Sequence, residues 1–229
     1  MFKKNLFMKL LLFFYILIFS FTAYSIPIPK DNKVIFEIIR KNKVIGTHEI
    51  EFNQINDKLI IDTNINIAVK ILFFPAYKFF HTSREVWIND KFSEIEGFTD
   101  FEDEREYKIS GKINKNSFIG NGMDGKINLD KLIIPSNFWN INLMQQKEAF
   151  DTQKGIIRKL EIKYLGEEEI ELNKKKIICN KYTLNASSNK KDKGPFPEYT
   201  LWYNKQNELL QYKFINWRDD KEVKSVRKE

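Results

Sequence analysis

Residues 59–69 have the sequence LIIDTNINIAV, in which apolar and polar side chains alternate almost without a break. Alternation with a period of two is typical of a β-strand that buries one face and exposes the other to water. Ile61, Thr63, Ile65 and Ile67 would face an apolar interior, and the polar residues between them would face solvent. The stretch therefore predicts one strand of an antiparallel sheet.

Similar runs fill most of the chain and are separated by short clusters of turn residues. Residues 41–43 and 89–91 have the Asn-rich and Asp-rich character of hairpin turns. The remaining strands are predicted at residues 34–40, 44–52, 77–88, 92–101, 104–113, 117–123, 126–134, 158–165, 168–172, 175–184, 199–203 and 209–217. The pattern predicts an all-β fold, an antiparallel meander curled into an open or half-closed barrel.

Three segments depart from this spacing. Residues 136–150 favour one short helix, capped by Ser136 and placed across the sheet or its mouth. Residues 189–197 combine Pro, Gly and Lys and are expected to form an exposed loop. The charged tail, residues 219–229, is expected to end in an edge strand.

The N-terminal 25 residues have the pattern of a cleavable signal peptide. Lys3, Lys4 and Lys9 precede an apolar run at residues 10–19, and the segment ends in Ala23-Tyr24-Ser25. The apolar stretch is shorter than the roughly 20 residues that span a bilayer, which disfavours the alternative of a retained anchor. We expect cleavage after Ser25 and a single β-rich domain at residues 26–229, periplasmic or secreted, with membrane contact that is at most peripheral.

Composition and net charge limit the kinds of molecule that this protein is expected to bind. Cleavage would remove three lysines and lower the formal net charge from +7 to +4, with no basic block that would indicate nucleic-acid binding. An anionic surface or substrate stays open as an alternative. The one cysteine, Cys179, cannot form an internal disulfide and is expected to be a buried thiol. The oligomeric state is left open.

The titratable residues of interest lie on predicted strands. Side chains at positions 77–87 alternate, so Tyr77, Phe79, His81, Glu85 and Trp87 share one face. His48 is expected to face inward with residues 44, 46, 50 and 52. If both faces line one interior, His48, His81 and Glu85 meet in an apolar cavity that perturbs their ionisation. They would then either anchor a ligand or act as a general base, or else satisfy one another's hydrogen bonds as structural groups.

Other chemistry is not indicated. The two histidines lie 33 residues apart, which is not a zinc-ligand spacing, and no nucleophile elbow, phosphate-binding loop or dinucleotide fingerprint is present. We therefore expect neither a metal nor a cofactor. The acidic residues between 100 and 106 favour a solvated hairpin tip. The aromatic residues between 73 and 80 suit either the core or the wall of a cavity for an acyl chain.

Several segments together carry a resemblance. They are Phe36 with Gly46-Thr47-His48, Tyr77 with His81 and Glu85-Val86-Trp87, Trp139, and the hairpin Leu201-Trp202-Tyr203-Asn204 with Glu208-Leu209. They resemble a family of secreted proteobacterial domains of unknown function over nearly the whole mature chain. The Trp202 hairpin is also similar to one in periplasmic lipoprotein carriers, whose half-open barrel encloses an apolar cavity. The resemblance implies a fold and a hydrophobic ligand class, and no active-site residues.

Taken together, these patterns favour a binding or carrier module of the cell envelope for a lipid or another apolar or amphiphilic ligand. The alternatives are a hydrolytic enzyme that uses His48 or His81 with Glu85, and an envelope structural or assembly protein. Trp202 is expected to pack inside the barrel and Tyr203 to face outward. The candidate ligand-binding residues are His48, Tyr77, Phe79, His81, Glu85, Trp87 and Trp139.

Overall fold

The computed structural model describes residues 26–71, 74–102 and 106–228, and these fold as one 14-stranded antiparallel sheet. A 3-10 helix, Ile141–Gln145, is the only helix in those ranges. The strands are β1 (Lys33–Arg40), β2 (Lys43–Ile55), β3 (Lys58–Ile71), β4 (Phe74–Ile88), β5 (Lys91–Phe101), β6 (Glu106–Asn114), β7 (Ser117–Gly122), β8 (Gly125–Leu129), β9 (Glu148–Phe150), β10 (Ile157–Leu172), β11 (Lys175–Ala186), β12 (Tyr199–Tyr203), β13 (Leu209–Asn216) and β14 (Lys221–Arg227).

The sheet consists of two meanders joined where the first and last strands pair. Strands β8 to β1 lie side by side, β1 pairs with β14, and β14 to β9 continue the sheet, so that β8 and β9 are its edges. The expected all-β antiparallel meander is confirmed, as an open sheet. The expectation of an edge strand in the tail is wrong, because β14 lies between β1 and β13 and buries Val223 and Ser225 on the inner face.

The predicted hairpin turns are confirmed. Lys41 and Asn42, and likewise Asn89 and Asp90, all have positive φ, as the two central positions of a type I′ turn require. Asn and Asp tolerate this left-handed conformation better than most residues. The turn residues therefore set the pairing of β1 with β2 and of β4 with β5.

Strand β10 corrects a prediction of two separate strands at residues 158–165 and 168–172. It runs without interruption from Ile157 to Leu172, and its register with β11 shifts between Tyr164 and Gly166. Gly166 has a φ of 97°, which a residue with a side chain rarely adopts. The glycine therefore marks a β-bulge inside one strand.

The helix predicted at residues 136–150 is also wrong in extent. Only Ile141–Gln145 is helical, and the side chain of Asn140, not Ser136, caps it by accepting from the amide of Asn142 at 3.0 Å. Residues 148–150 form β9, and the amide of Phe150 donates to the carbonyl of Ile134 at 2.9 Å. Backbone pairing with β10 and with the chain before the helix thus replaces helical hydrogen bonds.

A close glycine contact brings the two ends of the open sheet together. The turn at residues 151–155 lies against the end of β7, and the amide of Met123 donates to the carbonyl of Lys154 at 2.7 Å. A Cβ on Gly122 would lie 2.2 Å from the carbonyl oxygen of Gly155, and Gly155 itself has a φ of 66°. Both positions therefore require glycine, and the ends of the open sheet meet through this turn and not through a strand ladder.

The interior is packed at the end that carries the 3-10 helix, where Trp87, Trp139, Leu143 and Tyr203 belong to one large apolar core. Tyr203 lies in that core, whereas Trp202 packs on the opposite face with Cys179 in a smaller cluster. The two do face opposite sides, but the predicted orientation is wrong, because the alternation along β12 places Leu201 and Tyr203 together in the main core and Trp202 on the other face. The prediction that the Cys179 thiol is buried is confirmed.

Some predictions concern residues outside the described ranges. They are the signal segment at residues 1–25, Phe73 of the aromatic run, and Asp103 and Glu104 of the acidic run. Within the described ranges, Glu102 and Glu106 are exposed, as expected of a solvated tip. No helix in this part of the chain is long and apolar enough to cross a bilayer.

Candidate functional site

A cavity of about 510 Å³ lies inside the barrel, next to the packed core. Inward-facing residues of the first four strands line one side, and β10 to β14 with the loop before β12 line the other. Ile215 and Trp217 line the cavity and are about half exposed, so they mark its opening. Most of the lining is apolar, and examples from opposite sides are Ile38, Ile67, Phe79, Leu184 and Phe214.

Four of the seven predicted ligand-binding residues line this cavity: His48, Tyr77, Phe79 and His81. The other three, Glu85, Trp87 and Trp139, do not line it and lie in the packed end of the barrel. The predicted grouping of His48, His81 and Glu85 in one cavity therefore separates into two sites. Val44, expected to face inward with His48, is instead 55% exposed, because a bulge opposite Ile38 and Ile39 brings Ile45 to the cavity.

His48 and His81 lie in the cavity wall, and each uses one ring nitrogen. Nδ1 of His48 is 2.9 Å from the hydroxyl of Tyr212, and Nδ1 of His81 is 2.8 Å from Oγ1 of Thr99. Nε2 of each ring is buried and has no hydrogen-bond partner in the described part of the chain. We call His48, His81, Tyr212 and Ser225, which all line the cavity, the polar floor.

Burial keeps both imidazoles neutral. Desolvation lowers the pKa of His48 to about 3, and His81 lowers it further. Desolvation lowers the pKa of His81 to about 4, although the Asp151 carboxylate and the Phe98 carbonyl act in the opposite direction. A general base works best with a pKa near the ambient pH. At neutral pH, therefore, these rings suit hydrogen bonding better than proton transfer.

Glu85 occupies a separate polar cluster beneath the polar floor. Its carboxyl group accepts hydrogen bonds from Nε1 of Trp87 at 2.8 Å, from Nε1 of Trp139 at 3.4 Å and from the amide of Asn137. Desolvation raises the pKa of Glu85 to about 7, and these three donors oppose that rise. Glu85 therefore holds the two indole rings and Asn137 in place, and these contacts are typical of a structural role.

A buried ion-pair network, which sequence reasoning missed, forms another part of the cavity wall. Arg158 donates through Nε to Asp151 at 2.7 Å and through its terminal nitrogens to Asp192 at 2.8 and 3.2 Å. Nζ of Lys154 lies 3.0 Å from Asp192, and all four side chains are at most 9% exposed. The loop at residues 189–197, which was expected to be exposed, thus contributes Asp192 to the interior and is held there by the ion pairs of that residue.

The sequence offered only a weak signal for this network. Asp151 precedes Gly155 by four residues, a spacing that suits a side chain capping a tight turn, and its Oδ1 accepts from the amides of Gln153 and Lys154. Nothing in the sequence connects that turn to Asp192, which lies 34 residues beyond Arg158.

No metal-binding geometry accompanies these groups. Among the residues that the structure describes, no three or more His, Cys, Asp or Glu side chains are placed to hold a metal ion. The arrangement can enclose an apolar molecule and offer it neutral hydrogen-bonding groups at one end.

Residues 36–220 match the model of a family described as a domain of unknown function, DUF6134. The chain belongs to this family. The chain matches no curated protein. The expected membership of a domain-of-unknown-function family with a barrel-like fold is confirmed.

Among solved structures, the DUF6134 domain is similar to a β-barrel-like protein of a second domain of unknown function, DUF1849, from Brucella abortus. The TM-score is 0.60 at 11% sequence identity, and the match covers 86% of this chain and 95% of that chain. At this identity the likeness shows a shared fold and carries no information on function.

Proposed function

We propose that this DUF6134 domain is an exported binding or carrier module for an apolar or amphiphilic ligand of the cell envelope. The observation that carries the proposal is the cavity of about 510 Å³ inside the barrel. Ligand sites usually have volumes of roughly 300–1,000 Å³ and combine apolar walls with a few polar groups. Well-packed interiors seldom leave a void of this size unfilled.

The hydrolytic alternative has weaker support. It needs a base near neutral pKa with a nucleophile or water beside it. Thr99 and Tyr212 do lie within hydrogen-bonding distance of the two imidazoles, but those rings have strongly lowered pKa values and Glu85 bonds to neither. A site that binds without reacting accounts for the same contacts.

A cavity-filling substitution tests the binding proposal. Ala186 faces the cavity from β11, so Ala186→Phe would place a ring where the ligand lies. Thr183→Phe adds the same ring on the opposite face of the same strand and serves as the control. We expect native mass spectrometry of protein purified from its own compartment to show a co-purifying amphiphile in the wild type and in Thr183→Phe, and a loss of at least about tenfold in Ala186→Phe.

Either of two results would contradict the binding proposal. One is a wild-type protein that carries no amphiphile and takes none up from a panel of lipids and detergents. The other is an Ala186→Phe variant that folds and retains the same occupancy as Thr183→Phe.

Export is tested separately, because the proposal places the ligand in the envelope. We expect the mature chain to begin at Ile26, whose side chain is 4% exposed in the main core. N-terminal sequencing of the protein from the extracytoplasmic fraction checks the cleavage site after Ser25. A chain recovered with Met1 in the membrane fraction would reject export by cleavage.

A further inference from the structure

The two histidines of the polar floor each retain one unused hydrogen-bonding atom. Their Nδ1 atoms are engaged by the hydroxyls of Tyr212 and Thr99, and their rings are 6% and 1% exposed. Their Nε2 atoms are buried without a partner in the described ranges. A buried polar atom without a hydrogen bond is costly, so two in one cavity wall point to a bound molecule that completes them.

The register places the two rings on either side of one residue. Ile65 pairs with His48 across the β2–β3 ladder and with His81 across the β3–β4 ladder. The two Cα atoms are therefore two strand spacings apart, about 10 Å. Both side chains face the same interior and line the same cavity. A single polar group of a few atoms, lying between the rings, can approach both.

Charge indicates which polar group suits this position. The imidazoles are neutral at neutral pH, and their partners Tyr212 and Thr99 are uncharged hydroxyls. The cations of the buried network are paired with Asp151 and Asp192, Arg40 is paired with Asp219, and the remaining lining cations, Lys193 and Arg218, are exposed at the opening and not at the polar floor. An anionic group between the histidines would lose its hydration without gaining a counter-charge, whereas an uncharged hydroxyl or carbonyl would not.

The opening lies at the other end of the cavity from the polar floor. Along β13 the cavity-lining residues run from Tyr212 at the floor through Phe214 to Ile215, which is half exposed. Ile67 and Val69 continue from Ile65 on β3 in the same direction, and these side chains along both strands are apolar except for the hydroxyl group of Tyr212. The polar group would therefore enter first, and an apolar chain would follow toward the opening.

We propose that the polar floor binds the uncharged, hydroxyl- or carbonyl-bearing head group of an acylglycerol-like amphiphile, with Nε2 of His48 and of His81 as its hydrogen-bonding partners. The acyl chain lies along Ile67, Val69 and Phe214 toward the opening. This inference rests on the proposed binding function and adds the class and orientation of the ligand.

Calorimetric titration of the mature chain with monodecanoylglycerol and with decanoate tests the head-group class. We expect the neutral lipid to bind at least about tenfold more tightly than the fatty acid of the same chain length, because only the carboxylate loses hydration without compensation. This comparison uses the wild-type protein and does not depend on how well any variant folds.

A matched pair of substitutions tests the contact itself. His81→Asn keeps an amide near the position of Nδ1, within reach of Thr99, but removes Nε2, and we expect it to weaken monodecanoylglycerol binding about fivefold or more. His81→Gln extends its amide toward the position of Nε2 and should restore most of that loss. Melting temperatures of both variants show whether the fold is intact.

The inference is overturned if decanoate binds as tightly as monodecanoylglycerol, or if folded His81→Asn binds the neutral lipid with unchanged affinity. In either case some amphiphile still binds, so the carrier function would stand. If neither compound binds and no amphiphile co-purifies, the proposed function and this inference fail together.

Discussion

Replacing Asp192 with alanine lowers the free energy of unfolding by about 3 to 5 kcal/mol, the usual cost of removing one partner from a buried ion pair. Asp192 accepts hydrogen bonds from Arg158, from Nζ of Lys154 and from the amide of Asn189. Without it, Arg158 keeps the carboxylate of Asp151 but loses its second carboxylate, and Nζ of Lys154 loses the acceptor that lies 3.0 Å away. The loss of an acceptor inside the barrel, and not the loss of surface charge, causes the effect.

The pKa of Asp192 agrees with this role. Burial alone would raise it, but the hydrogen bonds from Arg158, Asn189 and Lys154 and the positive charge of Arg158 lower the pKa to about 2. The carboxylate is thus held in its charged form by groups that are themselves fixed. Removing Asp192 should also release the loop at residues 187–197 from the cavity wall and weaken ligand binding.

Urea unfolding of Asp192→Ala beside Asp62→Ala measures the effect with a matched control. Asp62 pairs with Arg84 in a bidentate contact at 2.7 and 2.9 Å, but the two side chains are 42% and 66% exposed to solvent, so its removal should cost less than about 1 kcal/mol. Two variants with equal losses would show that the interior network contributes no more than an ordinary surface pair.

The strands and hairpin turns could be predicted because the signals for them lie in neighbouring residues of the sequence. Alternation at residues 59–69 and the turn pairs Lys41-Asn42 and Asn89-Asp90 each need only neighbouring residues to act, and all three appear in the structure as expected. The pairing of β1 with β14 joins Phe36 to Arg227, nearly the whole chain apart, and no local signal marks it. The internal position of the tail strand therefore could not be predicted.

The helix prediction failed because apolar spacing does not distinguish a helix from a chain that crosses a barrel interior. Phe138 and Trp139 face the core through ring contacts with Tyr199, Tyr212, Phe52 and Trp87, and these contacts hold the two residues in a turn that precedes the short helix. Tertiary packing thus overrides a weak local preference.

The candidate site was predictable only in part, and the part that could be predicted depends on the local alternation of side chains along one strand. The alternation of side chains along β4 correctly placed Tyr77, Phe79 and His81 toward one interior. Alternation does not show how far along the barrel each of these residues lies. His81 and Glu85 lie four residues apart, about 13 Å along the strand, so one lines the cavity and the other lies in the packed end. The Asp192 network depends on a loop that folds back, which only the three-dimensional structure reveals.

The second large effect is a pH-dependent stability that comes from Glu85. Its carboxyl group is fully buried, and desolvation raises its pKa from 4.5 to about 7 despite donors from Asn137, Trp87 and Trp139. Between these two values the folded state holds a proton that the unfolded state has lost. Stability from this group is therefore complete below about pH 4.5 and is lost as the pH rises through 7, by about 3 kcal/mol in total.

Comparison of the wild type with Glu85→Gln isolates this contribution. His48 and His81 have lowered pKa values and act in the opposite direction, since they lose stability as the pH falls below 6.5, but they are present in both proteins. We therefore expect the stability of Glu85→Gln relative to the wild type to increase by about 3 kcal/mol from pH 4.5 to 8, measured by urea unfolding. Thr63→Val, a buried change with no titratable group, should shift stability equally at every pH. Parallel curves for Glu85→Gln and the wild type across this range would mean that the carboxyl group stays charged in the folded protein, held by its three donors, and that desolvation does not prevail.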